Sequence, residues 1–497
     1  MQFHSFLGTD KYYTKKDSFS FNIALSPFYQ HSSGARDENG LKVHEGDMYG
    51  KWNMLGLFFG HKYTGGGTAN PDLTVRNASP ADRPFTLANY NDGVAAPNTV
   101  YGVLPRHNDP LVAGGTDSTR TRYPMLSAAW RVLDGILGGT AAAANVVDHE
   151  APVLADNPAE GIAAGNIDKN YTLESNFDPD DNNTGYLSVP MDTCEKYGMR
   201  GQICFEFSCG LGMKCKGGFV EYRLTGTFRT HSPLGDATST DPLTKAQGLI
   251  DKYLMNPHEQ VLNELGIYTH EQKKTVFEDT YIELFWNLPW EIEDASFNHV
   301  ATVSPYLAVG VWIPSGKKKD QDQMFSVPSG ADGFWGLSAV GSINLDFPGL
   351  IQLSFGGGAT FYESRTISGY RVPSSQYQSV IYPWKARIKK RPGTVWYLNA
   401  SLKTEEFIEQ FSFFFDYVYS EHKRDSITLK ETVTTRNAYF FPEKLREDSK
   451  WRTNVIHAGL NYRVSSGLDL GFSFQAHLSG ARVYKTTTMM GTLNFNF

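Results

Sequence analysis

Three polar residues near the C-terminus have side chains suited to hydrolytic chemistry. His457, Ser473 and His477 combine a hydroxyl with imidazole bases, which are the groups of nucleophilic catalysis. The sequence contains no nucleophile elbow, P-loop, dinucleotide fingerprint or zinc-binding helix. All three residues fall on the polar face of alternating segments, where a histidine more often hydrogen-bonds within the wall than acts as a catalyst. We therefore predict a protein that is not an enzyme and needs no cofactor.

The four cysteines, Cys194, Cys204, Cys209 and Cys215, lie within one short region. Their spacing matches no zinc-ligand pattern, so no metal site is predicted. In an oxidising compartment they would form one or two local disulfides, and free thiols are the alternative. Cys204 and Cys209 fall on opposite faces of one alternating segment. A bridge from Cys204 to Cys194 or to Cys215 is therefore geometrically easier than one to Cys209.

The elements that position these residues are strands, and the last one shows the pattern best. Met489, Leu493, Phe495 and Phe497 share one face of the final segment, and threonines and asparagines occupy the other. Alternate side chains of a strand point to opposite faces. Two architectures use such a pattern: a soluble sandwich or barrel with an apolar core, and a transmembrane barrel with its apolar face in lipid.

The same alternation recurs along the chain. Candidate strands begin near Phe19, Met48, Ile203, Val220, Ile282, Val303, Trp335, Ile351, Trp396, Phe407, Ile456, Leu468 and Met489. Strand directions leave one strand missing, which is expected within 85–104 or 123–137. We predict an all-β fold, a transmembrane antiparallel up-and-down β-barrel of about fourteen strands, with a range of roughly twelve to sixteen.

The connections between the C-terminal strands separate the two architectures. Short links alternate with long polar ones; the short links include Glu291–Asp294, Phe347–Gly349, Lys403–Glu405 and Ser465–Gly467, and the long ones are Ser315–Asp332, Glu363–Pro392 and Glu421–Trp451. Outer-membrane barrels have short periplasmic turns and longer extracellular loops, whereas a soluble sandwich has no reason to keep this alternation. The pattern favours the transmembrane barrel.

The C-terminus also resembles the last strand of Gram-negative outer-membrane barrels, in which a final Phe follows alternating apolar residues. Leu493, Phe495 and Phe497 match that pattern. The resemblance is to the porin-like class as a whole and to no particular family. It implies an assembly signal read by the barrel-assembly machinery and a location in the bacterial outer membrane.

The chain divides into three predicted regions. Residues 1–60 hold the first barrel strands, 61–190 form a large insert after the second strand, and 191–497 contain the remaining strands and extracellular loops. Alternation fades in 61–190, where turn-forming residues are frequent. A structureless loop of that length is uncommon, so we expect a plug, a cap or a long loop that includes one strand.

Composition limits the alternatives. The 497 residues are 40% hydrophobic, with a mean hydropathy of -0.37, and no stretch approaches the roughly 20 consecutive apolar residues of a spanning helix. The net charge of -7 argues against nucleic acid as a partner. The aromatic residues, 26 Tyr, 32 Phe and 9 Trp, suit the aromatic girdles of a barrel. Met1–Asp10 shows no basic start followed by an apolar run, so no secretory signal is visible.

The charged residues on the polar faces are the candidate pore lining: Lys51, Glu206, Glu221, Arg223, Arg229, Glu283, Asp346, Asp416, His457, Arg463 and Asp469. Acidic and basic groups facing each other across a hydrated lumen create a transverse field and a modest ion preference. The alternative for about half of them is that they pair across the wall and stiffen it.

The predicted function is a porin-like outer-membrane channel for passive diffusion of small solutes or ions. Its expected partners are the lipid bilayer, lipopolysaccharide and further copies of the chain as a homo-oligomer. Two alternatives are a transporter for hydrophobic substrates whose insert plugs the lumen, and a structural or adhesive surface barrel without conductance.

Overall fold

The computed structural model describes residues 19–52, 54, 185–231, 248, 251–293, 299–347, 351–373, 378, 380–382, 385–408, 410–430 and 440–497. The strands within these ranges are, in chain order, β1 (Phe19–Arg36), β2 (Lys42–Val43), β3 (Tyr186–Ser188), β4 (Met191–Phe207), β5 (Leu211–Gly226), β6 (Arg229–His231), β7 (Gln272–Phe277), β8 (Thr280–Asn287), β9 (Trp290–Glu293), β10 (His299–Ile313), β11 (Gly336–Phe347), β12 (Ile351–Tyr362), β13 (Arg365–Arg371), β14 (Lys385–Arg391), β15 (Val395–Ile408), β16 (Phe411–His422), β17 (Ser426–Leu429), β18 (Trp451–Ser465), β19 (Leu468–Ala481) and β20 (Val483–Asn496).

Helical structure is sparse in the same ranges. It comprises α1 (His258–Glu264), α2 (Pro442–Ser449), a 3₁₀ turn at Glu45–Asp47 and a π-helical turn at Asp251–Met255. The π-helical turn and α1 lie on either side of Pro257. Among the described residues, no helix has the length and apolar character needed to cross a membrane.

Twelve of the strands form a closed antiparallel barrel, in the order β1–β4–β5–β8–β10–β11–β12–β15–β16–β18–β19–β20. The first and last strands pair over most of their length, and β10 pairs with β11 to complete the ring. Each of the twelve strands therefore has two neighbours. The predicted up-and-down barrel is confirmed, with two strands fewer than the expected fourteen but within the predicted range.

The C-terminal residue takes part in barrel closure. The Phe497 amide donates to the Phe21 carbonyl at 2.8 Å, and the Phe21 amide donates to the Phe497 carbonyl at 3.2 Å. The two rings stack with centroids 5.6 Å apart. Phe497 and Leu493 are exposed on the outer face beside this seam.

The outer face carries exposed large apolar side chains, here called the apolar belt: Phe19, Met199, Ile203, Phe207, Leu211, Met213, Phe219, Ile282, Leu284, Leu307, Val309, Leu337, Ile343, Phe355, Leu398, Phe415, Leu460, Leu470, Phe472, Met489 and Leu493. An apolar surface of this extent is unfavourable in water and favourable in lipid hydrocarbon. The alternate residues of the same strands point inward and are mostly polar. The barrel is therefore built to span a membrane.

The two ends of the barrel differ. At the turn end, which contains Phe497, the connections from β4 to β5, from β11 to β12 and from β18 to β19 are only two or three residues long. At the loop end, the chain makes long connections such as those from β10 to β11 and from β16 to β18. A three-stranded sheet of β13, β14 and β17 and a two-stranded sheet of β3 and β6 belong to the loop end.

An apolar cluster, here called the loop-end core, joins these connections to the inner wall. It consists of Trp52, Met54, Leu187, Val189, Leu224, Leu254, Met255, Val261, Leu262, Ile267, Phe325, Tyr370, Val372, Ile381, Ala386, Ile388, Ile427 and Phe440. Leu224 projects into this cluster from β5, so the inner face of β5 is apolar at this level. The loop end is thus packed like a soluble domain.

One wall strand is split in two. β7 pairs with the loop-end half of β5, and β8 pairs with its turn-end half. The break falls at Glu278 and Asp279, and the Asp279 carboxylate accepts the backbone N–H groups of Gly316 at 2.8 Å and Ala331 at 2.5 Å. A Cβ on Gly330 would lie 2.1 Å from the Asp279 carboxyl carbon, so only glycine fits there. The break therefore fastens the connection 314–335 to the wall.

A second barrel strand was expected from Met48 to Phe58. In the part of this stretch that the structure describes, residues 48–52 and 54, no barrel strand forms, so the expectation is wrong there. β1 pairs directly with β4. Met48 and Trp52 are buried, but they do not belong to a barrel strand. Trp52 forms only an isolated bridge to Leu187. The alternation around Met48 arises because its apolar residues face the loop-end core rather than lipid. The remainder of this stretch, 61–184 of the expected insert and the strand expected within 85–104 or 123–137 lie outside the described residues.

Candidate functional site

The inner wall carries seven of the eleven predicted pore-lining residues: Glu206, Glu283, Asp346, Asp416, His457, Arg463 and Asp469. Each follows the inward phase of its strand, on the face opposite the apolar belt. Most of them are buried against neighbouring wall residues, whereas Arg463 is half-exposed near the turn end. The structure thus places these side chains inside the barrel.

Glu283 is the centre of one inner-wall cluster. Its carboxylate accepts hydrogen bonds from the hydroxyls of Tyr281 at 2.6 Å and Tyr306. The Lys214 ammonium lies 3.6 Å away, and it also contacts the faces of the Phe285 and Tyr306 rings at 5.5 Å. Both ionised groups are nearly inaccessible, which makes their pairing necessary.

A second cluster forms at the broken wall strand. The Glu278 carboxylate accepts hydrogen bonds from Lys196 at 2.6 Å and from Arg200 at 2.7 Å and 3.0 Å. The Arg200 guanidinium stacks on the Phe28 ring at 4.1 Å. None of these residues was among the predicted pore lining. The alternation of β4 could have identified Lys196 and Arg200. Both have even numbers, like the inward Gln202, whereas the outward Met199 and Ile203 have odd numbers.

Two further inner-wall groups lie on the C-terminal strands. The Asp416 carboxylate interacts with Nδ1 of His457 at 3.1 Å and accepts a hydrogen bond from the Ser401 hydroxyl. The Asp469 carboxylate accepts a hydrogen bond from the Asn496 amide at 3.1 Å and lies 4.0 Å from Arg463. These charges pair within the wall, as the alternative interpretation of the sequence anticipated.

The remaining four predicted pore-lining residues lie elsewhere. Glu221 and Arg223 are on the outer face, where they contact each other at 3.1 Å. Their inward neighbours are the buried Val220 and Leu224. The prediction is wrong here because β5 extends beyond the belt, where the outer face meets water and the inner face meets the loop-end core.

Lys51 and Arg229 are not on barrel strands. The Lys51 ammonium lies over the Tyr186 ring at 4.4 Å, and Arg229 is exposed on β6. Both belong to the loop end. Their placement in the lumen was wrong because the segments around them were interpreted as barrel strands.

Several buried polar atoms of the inner wall have no hydrogen-bond partner among the residues that the structure describes. They are Oε1 of Gln202, Oδ1 of Asn287, Oδ1 of Asn344, Oε1 of Gln352 and both ring nitrogens of His477. Leaving such an atom dry costs about 1–3 kcal/mol. Because each of these atoms is inaccessible to solvent, the polar inner wall is tightly packed around them.

All four cysteines are free thiols, so the expected disulfides are wrong. Cys204 and Cys215 lie on adjacent strands but in opposite phases, because Cys215 pairs with Ile203. Cys194 and Cys204 are ten residues apart in one strand, or about 33 Å. Cys209 lies in the turn between β4 and β5. Among the described residues, no three His, Cys, Asp or Glu side chains are grouped as metal ligands.

The loop end contains a cavity of about 370 Å³. Its apolar lining includes Trp52, Leu224, Phe325, Phe334 and Trp451. Trp52 is held in place because its indole N–H donates to the Gly46 carbonyl at 2.8 Å, and its ring contacts Phe325. The sequence alone did not indicate this cavity, since its lining comes from loops far apart in the chain.

Charged side chains are interspersed in the cavity wall. Lys390 pairs with Asp425 at 3.1 Å, and Nε2 of His422 lies 3.4 Å from the same carboxylate. Arg482 contacts Asp448 at 3.6 Å on another part of the lining. The cavity therefore combines aromatic surfaces with fixed charges, the composition typical of small-molecule sites.

No protein-family model and no curated protein match the sequence. An outer-membrane channel from Pseudomonas putida F1 is 9% identical, covers 63% of this chain and 87% of its own, and has a TM-score of 0.36. The β domain of the Bordetella autotransporter BrkA is 8% identical, with coverages of 61% and 92% and a TM-score of 0.27. OprD from Pseudomonas aeruginosa is 7% identical, with coverages of 63% and 89% and a TM-score of 0.23. These values are too low to indicate what this chain binds or transports.

Proposed function

We propose that this protein is an outer-membrane channel through which small hydrophilic solutes or ions diffuse passively. The observation that carries the proposal is the inside-out arrangement of the belt region. Its outer side chains are apolar, and its inner side chains are mostly polar. A polar inner face behind an apolar outer face is the arrangement of a barrel with a water-filled lumen.

The proposed orientation places the turn end in the periplasm and the loop end outside the cell, as is usual for bacterial barrels. The apolar belt would contact lipid, and the charged outer face above it would meet lipopolysaccharide. Leu493, Phe495 and Phe497 are proposed as the signal for the barrel-assembly machinery, since they lie on the closing strand. A homo-oligomer remains a prediction.

The proposed ion preference depends on the balance between acidic and basic groups on the inner wall. Lys214 and Glu283 neutralise each other, and Lys196 and Arg200 together exceed the charge of Glu278. Replacing Glu283 by Gln keeps an acceptor for both tyrosine hydroxyls and removes one negative charge from the inner wall beside Lys214. The variant should therefore favour anions more than the original protein does.

The test is single-channel recording of the purified full-length protein in a planar bilayer with a salt gradient. We expect steady conductance steps, and Glu283→Gln should shift the reversal potential toward anion selectivity. Glu221→Gln is the matched control, because it removes the same charge from the outer face of a neighbouring strand and should leave the reversal potential unchanged. Silence from inserted, folded protein would contradict the proposal, as would equal shifts for the two variants.

A second candidate function is a transporter that binds its substrate before release into the lumen. The loop-end core and its cavity favour it, because a simple diffusion pore needs neither. Such a transporter would not conduct in the bilayer experiment. It would instead take up substrate into protein-containing vesicles with a rate that saturates.

A further inference from the structure

The loop-end cavity has the size of a ligand site. Its volume of about 370 Å³ falls within the roughly 300–1,000 Å³ of small-molecule pockets. The aromatic side chains of Trp52, Phe325, Phe334 and Trp451 supply flat apolar surfaces on several sides. Such a lining favours a compact ring system over a flexible polar chain.

The cationic side chains of the lining differ in whether they have an acidic partner. Four cationic side chains line the cavity, and three of them have acidic partners: Arg371 pairs with Asp322 at 2.7 Å, Lys390 with Asp425 at 3.1 Å and Arg482 with Asp448 at 3.6 Å. These three are parts of the wall and are already satisfied.

Lys319 is the exception. Among the residues that the structure describes, no carboxylate lies within salt-bridge distance of its ammonium group, although the Asp332 carboxylate accepts its backbone N–H at 2.7 Å. Its side chain is accessible and lines the cavity. Lys319 is therefore the one cationic lining residue without a direct ion pair among the described residues, and its nearest opposite charge in the lining is Asp332.

Two tyrosines add neutral hydrogen-bond groups to the same cavity. Tyr49 and Tyr484 line it, and neither hydroxyl has a hydrogen-bond partner among the described residues. A phenol can donate to an anionic oxygen in addition to the bond from an ammonium group. Two of the four acidic lining residues, Asp425 and Asp448, are already paired with cationic side chains. The other two, Glu45 and Asp332, accept hydrogen bonds from the Ser32 hydroxyl and the Lys319 backbone N–H.

We propose that this cavity binds a small amphipathic monoanion, an apolar ring that carries one carboxylate. The ring packs among the aromatic side chains, and the carboxylate pairs with Lys319 and accepts hydrogen bonds from Tyr49 or Tyr484. The proposal deepens the proposed function, on which it rests for the role of the ligand as a transported solute. Binding itself does not require conductance.

The test is calorimetric titration of the full-length protein in lipid nanodiscs, with empty nanodiscs as the reference. The probes are 3-phenylpropionate, 3-phenylpropanol and 3-phenylpropylamine, which share one body and differ in charge. We expect the carboxylate to bind about tenfold or more tightly than the alcohol, as befits a charge-assisted hydrogen bond. The amine should bind no better than the alcohol.

Lys319→Met should reduce the affinity for the carboxylate to that of the alcohol and leave the alcohol unaffected. Lys317→Met is the matched control, because this lysine is exposed on the same connection but does not line the cavity. Equal affinities for the three probes, absence of binding by all of them, or an unchanged carboxylate preference in Lys319→Met would overturn the proposal. Selective binding by a protein that does not conduct would instead contradict only the proposed channel.

Discussion

The belt region and the loop end use the same strands in opposite ways. On β5, Met213 and Phe219 point outward and Lys214 points inward in the belt. Only a few residues further along, Glu221 points outward, and Leu224 is buried inside. The strand remains continuous through this inversion. The polarity of each face therefore reports the medium that it meets, and the inversion places the edge of the membrane between Phe219 and Glu221.

Neighbouring strands mark the same edge. The Tyr197 hydroxyl donates to Glu221, and the Tyr29 hydroxyl donates to Glu195 at 2.7 Å, both on the outer face. Tyrosine rings with their hydroxyls directed to polar groups are typical of the interface between hydrocarbon and water. The contacts between strands thus agree with the inversion on β5.

The largest expected effect distinguishes the outer face of the belt from the outer face above it. Leu307 is 58% exposed in the middle of β10. Leu307→Arg should destabilise the inserted protein by about 2–4 kcal/mol, because a cation would then lie in hydrocarbon. Thr225→Arg is the matched control, since Thr225 follows Glu221 and Arg223 on the outer face. Reversible denaturant unfolding in vesicles measures both, and equal losses would refute the position of the membrane edge.

A smaller effect is expected at a buried acid of the loop end. Burial raises the pKa of Asp47 from 3.8 to about 6, against the opposing hydrogen bond from the Val189 amide. Ionisation is therefore less favourable in the folded state. The full contribution of Asp47 to stability is present below pH 4 and is lost as the pH rises through 6.

Asp47→Asn keeps the acceptor for the Val189 amide and removes the buried charge. We expect the variant to stabilise the loop end by about 1 kcal/mol at pH 7.5, less than the full shift implies because Asp47 is only partly buried. The gain should disappear at pH 4. Thermal unfolding at the two pH values is the measurement, and a gain of equal size at both would rule out the electrostatic cause.

The smallest expected effect is the difference in reactivity among the four thiols. Cys209, exposed in a turn, should react with a water-soluble maleimide roughly tenfold faster than the others, because only an accessible thiolate is a good nucleophile. Cys215 faces outward in the belt, and Cys194 packs against the loop-end core. Cys204 should react slowly, since the reagent must enter the lumen. Peptide mass spectrometry gives the rates. A mass lower by two hydrogen atoms in the unreduced protein would reveal a disulfide and contradict the free thiols of the structure.

The predictions from sequence succeeded where a local pattern had one interpretation. Alternation from Leu468 to Phe497 identified the last two strands, and the placement of short and long connections identified the two ends of the barrel. The inward position of Glu283 and Asp416 also followed from phase alone. These features depend on neighbours in the chain and on the period of a strand.

The predictions failed where apolar residues pack against distant parts of the chain. The residues around Met48 alternate, yet they contribute to the packing of the loop end. Alternation likewise predicts Val220 and Leu224 on the lipid-facing side. Instead, Leu224 packs in the loop-end core, and Val220 packs with Phe28, Tyr222 and Met490 inside the barrel. Local periodicity does not distinguish lipid from a protein interior, because both are apolar media.

The sequence by itself determined that this chain is an antiparallel membrane-spanning barrel, because a period of two with one apolar face is a local property of each strand. Only the tertiary structure decided the number of strands, the level at which the faces invert and the formation of the loop-end cavity. Each of these depends on which distant segments meet: β1 with β20, β5 with its split neighbour, and Lys319 with an aromatic lining assembled from separate loops.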